Sequence, residues 1–226
     1  MSIDKDFDWI PYQENEFIYE EIVVNKIYEK FFSVEKDDIV VDIGANIGIF
    51  TAHIIDKQPK IVHCVEPTKT VYDYLERNTK KYSNVIAHHS AISDHNKYYA
   101  PFFGELPHSK EHEVMSFKEF CEQNNLNHID FLKIDCEGCE FSILTQDNIF
   151  YIANKVNKIV AEIHLWNNEN WMKSASLFRQ FLSDAGGILL DVHNQNVTQQ
   201  FIYDPYYLIH YNRTEKHPQF MYYYQK

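Results

Sequence analysis

The chain has 226 residues, a length that fits one α/β domain with modest additions better than two domains. Hydrophobic residues make up 45% of the sequence, so a full core can be buried. The formal net charge of -12 argues against nucleic acid as a partner, because backbone phosphates would be repelled. No apolar run is long enough for a membrane span, and residues 1–10 lack a signal-peptide core. A soluble, cytoplasmic protein is therefore expected.

Residues 1–35 are predicted to form an N-terminal arm and helix ahead of a single domain over residues 36–226. The helix is expected over about residues 14–32, with Val24, Ile27, Tyr28 and Phe31 on its buried face. Apolar β-branched runs and amphipathic segments then alternate along the chain, as they do in a parallel α/β sheet. Five strands are predicted in this part, at residues 39–43, 61–65, 85–88, 129–134 and 158–163.

The segment after the third strand, residues 94–113, is irregular and too long for a tight connection, so it is a candidate substrate loop. Ser116 and Glu119 form a capping box ahead of a helix. A later helix ends at Gly186-Gly187, a typical C-terminal cap. Two final strands, residues 188–192 and 206–211, are joined by a short loop and should pair antiparallel. The expected fold is Rossmann-like, a mostly parallel seven-stranded sheet with helices on both faces and an antiparallel C-terminal strand.

The first strand ends in a glycine-containing turn, Asp42-x-Gly44-x-x-x-Gly48. In a parallel α/β sheet, ligands bind at the carboxyl ends of the strands. Gly44 would let the backbone approach a ligand closely, and Gly48 would let the next helix pack on the strand. Asp42 could orient the loop or accept a hydrogen bond from an ammonium group. The middle positions include Ala45 and Asn46 and lack the central glycine of a dinucleotide turn, so a pyrophosphate is disfavoured.

Two further features follow at the ends of the next strands. Glu66 ends the second strand, where a carboxylate can accept both hydroxyls of one ribose. Ala91, after the third strand, lies where an adenine edge would be expected. A ribose site without a pyrophosphate site suits S-adenosylmethionine. The predicted cofactor-binding residues are Asp42, Gly44, Ala45, Asn46, Gly48, Glu66, Ala91 and, after the fourth strand, Asp135.

The strongest local pattern is the segment 129–140, in which an apolar strand delivers Asp135 and Glu137 to its carboxyl end. The other motifs are residues 40–48, Val65-Glu66-Pro67, Asn78, residues 91–94 and Glu162-Ile163-His164. Together these motifs resemble the FkbM-type methyltransferases over roughly residues 36–190. The resemblance implies a class I methyltransferase fold, S-adenosylmethionine as methyl donor, and a hydroxyl acceptor on a sugar or a natural product. Cys136 and Cys139 depart from the family pattern, in which small apolar residues are commoner.

Methyl transfer is an in-line displacement, so much of the catalysis is the positioning of the acceptor and the methyl group. A sugar hydroxyl is a poor nucleophile and would be helped by a nearby base. The candidate catalytic residues are Asp135, Glu137 and His164, all expected at the ends of neighbouring strands. Asp135 with Glu162 or His164 could instead hold a divalent metal ion, but metal-free general-base catalysis is favoured because spacing does not define ligand geometry.

Other interpretations stay open. Cys136-x-x-Cys139 follows a strand and could mark a thiol redox protein. A nicotinamide oxidoreductase is also compatible with the sheet, although the three-glycine turn is missing. Trp166 and Trp171 could stack on a sugar ring or cover the end of the fifth strand. The expected partner is a small-molecule or glycan acceptor, without nucleic acid or a membrane span, and the oligomeric state is not predicted.

Overall fold

A seven-stranded sheet forms the centre of the computed structural model, which describes residues 3, 5–11, 15–93, 99–100, 104–105, 113–164, 171–204, 207 and 219–226. The described strands are β1 (Ile39–Ile43), β2 (Ile61–Val65), β3 (Val85–His88), β4 (Ser90–Ile92), β5 (Tyr99–Ala100), β6 (Gly104–Glu105), β7 (Glu113–Met115), β8 (Ile129–Ile134), β9 (Val156–His164), β10 (Ile188–Leu190) and β11 (Gln219–Gln225). The central sheet has the order β3-β2-β1-β8-β9-β11-β10. Its strands are parallel except β11, which runs antiparallel to both neighbours. The predicted Rossmann-like sheet is confirmed.

Helices cover both faces of this sheet. They are α1 (Asn15–Tyr19), α2 (Ile49–Ile54), α3 (Lys69–Thr79), α4 (Phe117–Gln123), α5 (Glu140–Ile143), α6 (Gln146–Lys155), α7 (Trp171–Ala185) and α8 (Thr198–Tyr203). The capping box of Ser116 and Glu119 is present at the start of α4, and Gly186 follows α7 with a φ of 79°. Within the described residues, no helix has the length and apolar character that a membrane crossing requires.

Alternating side chains along each strand build the core on the two sides of the sheet. In β1, Val41 packs with Phe117 and Phe178 on one side, whereas Val40 packs with Phe50 on the other. These residues are at most 2% exposed. The strands are continuous apolar runs because successive residues pack against the helices on opposite faces of the sheet.

The N-terminal segment differs from the single predicted helix over residues 14–32. After α1 the chain continues as a π-helical turn, Glu20–Val24, and a 3-10 turn, Ile27–Glu29. Lys26 has a φ of 52°, a left-handed conformation that interrupts helical hydrogen bonding. The predicted buried face is therefore wrong in part: Tyr28 is buried, but Val24 and Phe31 are exposed.

The C-terminal strand also lies elsewhere than predicted. The partner of β10 is β11 at Gln219–Gln225, not the segment 206–211. Both segments are rich in tyrosine, so composition did not separate them. Of residues 206–211 the structure describes Tyr207 alone, and most of the candidate substrate loop at 94–113 also lies outside the described residues.

Candidate active site

The carboxyl ends of β1, β2, β8 and β9 lie side by side at one edge of the sheet. Ile43 is in register with Val65 on one side and with Ile134 on the other. Strand β9 extends three residues beyond the partner of Ile134 and ends at His164. The strand ends therefore bring the predicted cofactor loop and the predicted catalytic residues to the same edge.

The loop Gly44–Gly48 is held by backbone contacts on both sides. The backbone N–H groups of Gly44 and Ala45 both donate to the carbonyl oxygen of Val65 at 3.0 Å. Gly44 has a φ of 77°, and a Cβ there would overlap the carbonyl oxygen of Asp135. At Gly48 an added Cβ would lie 3.0 Å from the Leu75 side chain of α3. Packing against the backbone of Asp135 thus requires glycine at position 44, a contact that the sequence did not predict, whereas the close packing of a helix at Gly48 was expected.

Asp42 contacts a buried lysine that in turn binds this loop. Its carboxylate lies 3.0 Å from the ammonium group of Lys133, and both side chains are at most 2% exposed. Lys133 also donates to the carbonyl oxygen of Gly44 at 3.1 Å. The ammonium partner of Asp42 in the structure is therefore the protein's own Lys133.

Glu66 lies at the end of β2, buried but beside the loop. The backbone N–H of Thr68 donates to its Oε1 at 2.8 Å, and the backbone N–H of Asn46 also donates to the carboxylate. Burial raises the pKa of Glu66 to about 7, although these hydrogen bonds and Lys133 lower it. Asn46 itself is exposed, with a φ of 50°. The hydroxyl of Thr68 is a further donor, and the carboxylate still keeps a lone pair for another one.

Ala91 is buried in β4, a short strand that pairs with β7 in a small separate sheet. Ser93 lies just after β4, and its hydroxyl oxygen is 3.4 Å from that of Ser142 in α5. This end of the predicted cofactor site thus contacts the segment that follows β8. Asp94, the last residue of the predicted motif, lies outside the described residues.

A second cluster surrounds the imidazole of His164. Its Nδ1 lies 3.0 Å from Oε1 of Glu140, which is fully buried. Glu140 is held in turn by the backbone N–H groups of Cys136 and Gly138. The opposite nitrogen, Nε2, faces the carboxylates of Glu137 at 3.6 Å, Glu162 at 3.6 Å and Asp135 at 4.0 Å.

The N-terminal segment completes this cluster. The hydroxyl of Tyr28 lies 2.7 Å from Oδ2 of Asp135 and 3.1 Å from Oε2 of Glu162. A hydroxyl has one hydrogen, so Tyr28 contacts both carboxylates but donates to one of them at a time. Glu21 also feels this cluster: burial, and then the charge of Asp135, raise its pKa to about 7.

The electrostatics of the cluster keep His164 charged in the protein alone. Burial lowers its pKa, but the nearby Glu140, Glu137 and Glu162 outweigh that effect and raise it to about 10. Burial and the charge of Asp135 raise the pKa of Glu162. A protonated imidazole donates hydrogen bonds and does not accept a proton. In this state His164 can donate hydrogen bonds to the neighbouring carboxylates.

Asp135, Glu137 and His164 are thus brought together as predicted, but with different exposure. The side chain of Glu137 is 39% exposed and that of Asp135 is 24% exposed, whereas that of His164 is 2% exposed. Glu137 has a φ of 57° in a left-handed turn completed by Gly138. Trp166 and the side chain of Trp171 lie outside the described residues.

The two cysteines of the same turn are joined as a disulfide, with their Cα atoms 5.5 Å apart. Both residues are at most 9% exposed and belong to the core. A thiol that exchanges with a partner protein has to be reached by it, so this burial disfavours the redox interpretation.

Sequence reasoning assigned no role to three residues of the site. Lys133, Tyr28 and Glu140 hold the loop or the cluster in place. A lysine inside an apolar strand is a signal for Lys133. Tyr28 and Glu140 carried no comparable signal, because their partners are distant or lie within a turn.

Comparison with known proteins places these features in a family. Residues 42–189 match the Methyltransferase FkbM domain family. The chain is 26% identical over 166 residues to Methyltransferase 1 of Beauveria bassiana, with 58% of this chain and 66% of that protein covered. It is 39% identical over 64 residues to the ribosomal RNA small subunit methyltransferase A of Persephonella marina, with 28% and 24% covered. The chain spans less than two thirds of either relative.

Among solved structures, the fibrillarin of Aeropyrum pernix with natively bound S-adenosyl-L-methionine has a TM-score of 0.46 at 13% identity, with 92% of this chain and 73% of that chain covered. A precorrin-6y C5,15-methyltransferase of Geobacter metallireducens has a TM-score of 0.43 at 16% identity, with 84% and 79% covered. The family match covers more than half of the chain and reaches from Asp42 past His164. The chain belongs to the FkbM methyltransferase family.

Proposed function

We propose that the protein transfers the methyl group of S-adenosylmethionine to a hydroxyl group of a sugar, a glycan or another natural product. The observation that carries the proposal is the contact between the two clusters, because the Gly44 backbone packs on that of Asp135. A nucleotide held by the loop would therefore lie beside the carboxylates. Membership of the FkbM family supports methyl transfer, and the hydroxyl acceptor is what the family resemblance implies.

The cofactor would be held by the loop and by the ends of β2 and β4. The remaining lone pair of Glu66 would accept a ribose hydroxyl, and the exposed Asn46 would border the ligand. Ala91 would pack beside the adenine. Asp42 acts through Lys133, which fixes the carbonyl of Gly44.

In the reaction, the acceptor oxygen forms a bond to the methyl carbon as the carbon–sulfur bond breaks. The electron pair of that bond goes to sulfur and yields S-adenosylhomocysteine. Glu137 is the best placed base for the hydroxyl proton, because it is the most exposed carboxylate of the cluster. Asp135 would orient the hydroxyl, and His164 would fix the carboxylates around it.

Cofactor binding tests the first half of the proposal. Glu66→Ala and Gly44→Asp should each weaken S-adenosylmethionine binding by about tenfold or more in calorimetry, since one loses a ribose acceptor and the other displaces the loop. Glu122→Ala, an exposed carboxylate on α4, is the matched control and should bind like the wild type. Wild-type protein that binds no S-adenosylmethionine, or site variants that bind it normally, would overturn the assignment.

Methyl transfer tests the second half. Labelled S-adenosylmethionine is incubated with panels of glycans, hydroxylated natural products, amines and RNA, and the products are identified by mass spectrometry. Label on a hydroxyl oxygen is expected, and Glu137→Gln should lower turnover by about 10²-fold or more while cofactor affinity is kept. Label on amines or RNA alone would contradict the hydroxyl acceptor.

The thiol redox alternative has its own test. Because Cys136 and Cys139 are bonded in the structure, a redox role predicts that replacing both with serine abolishes activity. Under our proposal the double variant keeps methyl transfer, since neither sulfur contacts the acceptor. If the folded double variant lost methyl transfer, and both single Cys→Ser variants lost it too, this account would be contradicted.

A further inference from the structure

Three side chains at the edge of the sheet point polar atoms toward one another, and the proposed base chemistry does not require this convergence. Oxygen atoms of Asp135 and Glu162 and a ring nitrogen of His164 all lie within 4.8 Å of one another. They come from the ends of two adjacent strands, β8 and β9, so a rigid part of the sheet positions them. Two carboxylates and one imidazole form a mixed oxygen and nitrogen set.

Each of the three residues has its other polar atom held from outside the set. Tyr28 contacts Oδ2 of Asp135 and Oε2 of Glu162, and Glu140 contacts Nδ1 of His164. The atoms that converge are the opposite ones, namely Oδ1, Oε1 and Nε2. Outer partners that fix each ligand in this way are the usual accompaniment of a metal site.

The distances also suit an ion after a small closure. Nε2 of His164 lies 3.6 Å from Oε1 of Glu162 and 4.0 Å from Oδ1 of Asp135. Adjacent ligands of an octahedral ion with bonds of about 2.1 Å lie about 3 Å apart. A movement of each carboxylate oxygen by at most about 1 Å would bring it to that distance from Nε2.

Acidic side chains outnumber basic ones around the set. Asp135, Glu137, Glu140 and Glu162 surround the imidazole, and Asp42 lies behind them. Within the described part of the chain, the ion pairs bring two basic side chains, Lys133 and His164, to these five carboxylates. A divalent cation would offset the excess of negative charge.

We propose that Asp135, Glu162 and His164 bind a divalent cation, with Tyr28 and Glu140 as the outer residues that orient them. Carboxylate and imidazole together suit Mn²⁺ well, since carboxylates favour manganese and magnesium and imidazole favours transition metals. The ring must be neutral to coordinate, so binding displaces its proton. The role of the ion rests on the proposed function: it would bind the acceptor hydroxyl and ease the deprotonation of that hydroxyl by Glu137.

The proposal is tested by titrating the purified protein with Mn²⁺. The electron paramagnetic resonance signal of the unbound ion reports how much Mn²⁺ is bound. One ion per chain is expected. Asp135→Asn and Glu162→Gln should each weaken Mn²⁺ binding by about tenfold or more. Tyr28→Phe removes an outer partner of two ligands and should weaken binding by about 10–100-fold. His128→Gln is the matched control: His128 pairs with Asp130 at 2.7 Å at the other end of β8 and, among the residues that the structure describes, belongs to no group of three converging ligands.

A measurement on the wild-type protein covers the case in which variants fail to fold. Spin-echo modulation of bound Mn²⁺ should show coupling to one imidazole nitrogen. Absence of stoichiometric binding, absence of nitrogen coupling, or unchanged binding in folded Asp135→Asn and Glu162→Gln would each overturn the metal site. Methyl transfer that is unaffected by a chelator would overturn the role of the ion and leave the proposed function intact, which S-adenosylmethionine binding tests separately.

Discussion

Lys133 is a charged side chain inside the otherwise apolar strand β8, and it joins the two clusters of the site. Its ammonium group contacts Asp42 at 3.0 Å and the Gly44 carbonyl at 3.1 Å, and it lies 4.8 Å from the centre of the Tyr28 ring. Burial lowers the pKa of Lys133, but Asp42 and Asp135 outweigh that effect and raise it. The lysine therefore stays charged and compensates Asp42.

Replacement of Lys133 by methionine should destabilise the protein by about 3–5 kcal/mol, because a buried carboxylate loses its partner. Urea unfolding followed by circular dichroism measures the loss. The double variant Lys133→Met with Asp42→Asn should recover most of it, since no buried charge is then left unpaired. A single variant as stable as the wild type, or a double variant as unstable as the single one, would contradict this account.

Strand-end reasoning predicted which residues share the edge, but not which side chains pair. Asp42, Glu66 and Asp135 could be placed because parallel strands end together. The pairing of His164 with Glu140 depends on the left-handed turn at Glu137 and Gly138, which sequence spacing does not define. The sequence also offered His164 as one of three candidate bases, but it did not predict the neighbouring carboxylates that raise the pKa of this residue.

At the level of elements, the contact between the loop after β1 and the end of β8 decides whether the site can form. Gly44 and Gly186 have nearly the same φ, 77° and 79°. A Cβ at Gly44 would overlap the backbone of Asp135, whereas one at Gly186 would meet nothing within 4 Å. The two positions therefore separate conformational strain from crowding.

Gly186→Ala should cost about 1–2 kcal/mol, the strain of a left-handed alanine alone. Gly44→Ala should cost clearly more and should weaken S-adenosylmethionine binding, because the loop must move away from β8. The free energy of unfolding and calorimetric binding measure the two effects. Equal stabilities and equal affinities for the two variants would show that the contact is unimportant.

Elements with strong local patterns were predicted well, and elements that depend on distant partners were not. The β-branched runs of β1 and β2 were found within their observed bounds. The N-terminal helix was wrong because Lys26 turns left-handed, so that the chain passes over the sheet edge and Tyr28 reaches Asp135. The periodicity of residues 14–32 contains no sign of that distant contact.

For the whole molecule, the dependence of stability on pH combines groups of opposite sign. Burial, and then the charge of His63, lower the pKa of His88 from 6.5 to about 4, so acidification destabilises the fold between these values. Burial raises the pKa of Glu66 from 4.5 to about 7, so acidification stabilises the fold in that window. The two residues are neighbours, since the Glu66 N–H donates to the His88 carbonyl at 3.1 Å. Their effects should largely cancel in the wild type.

Single variants should uncover the two opposing contributions. Between pH 7 and pH 4.5, the free energy of unfolding of His88→Leu should rise relative to the wild type by about 2 kcal/mol, because the destabilising protonation is removed. That of Glu66→Gln should fall relative to the wild type by about the same amount, because the stabilising protonation is removed. Urea unfolding at half-unit pH steps measures both differences. If the two curves ran parallel to that of the wild type, neither group would be perturbed by folding, and the burial of this end of β2 and β3 would have to be reconsidered.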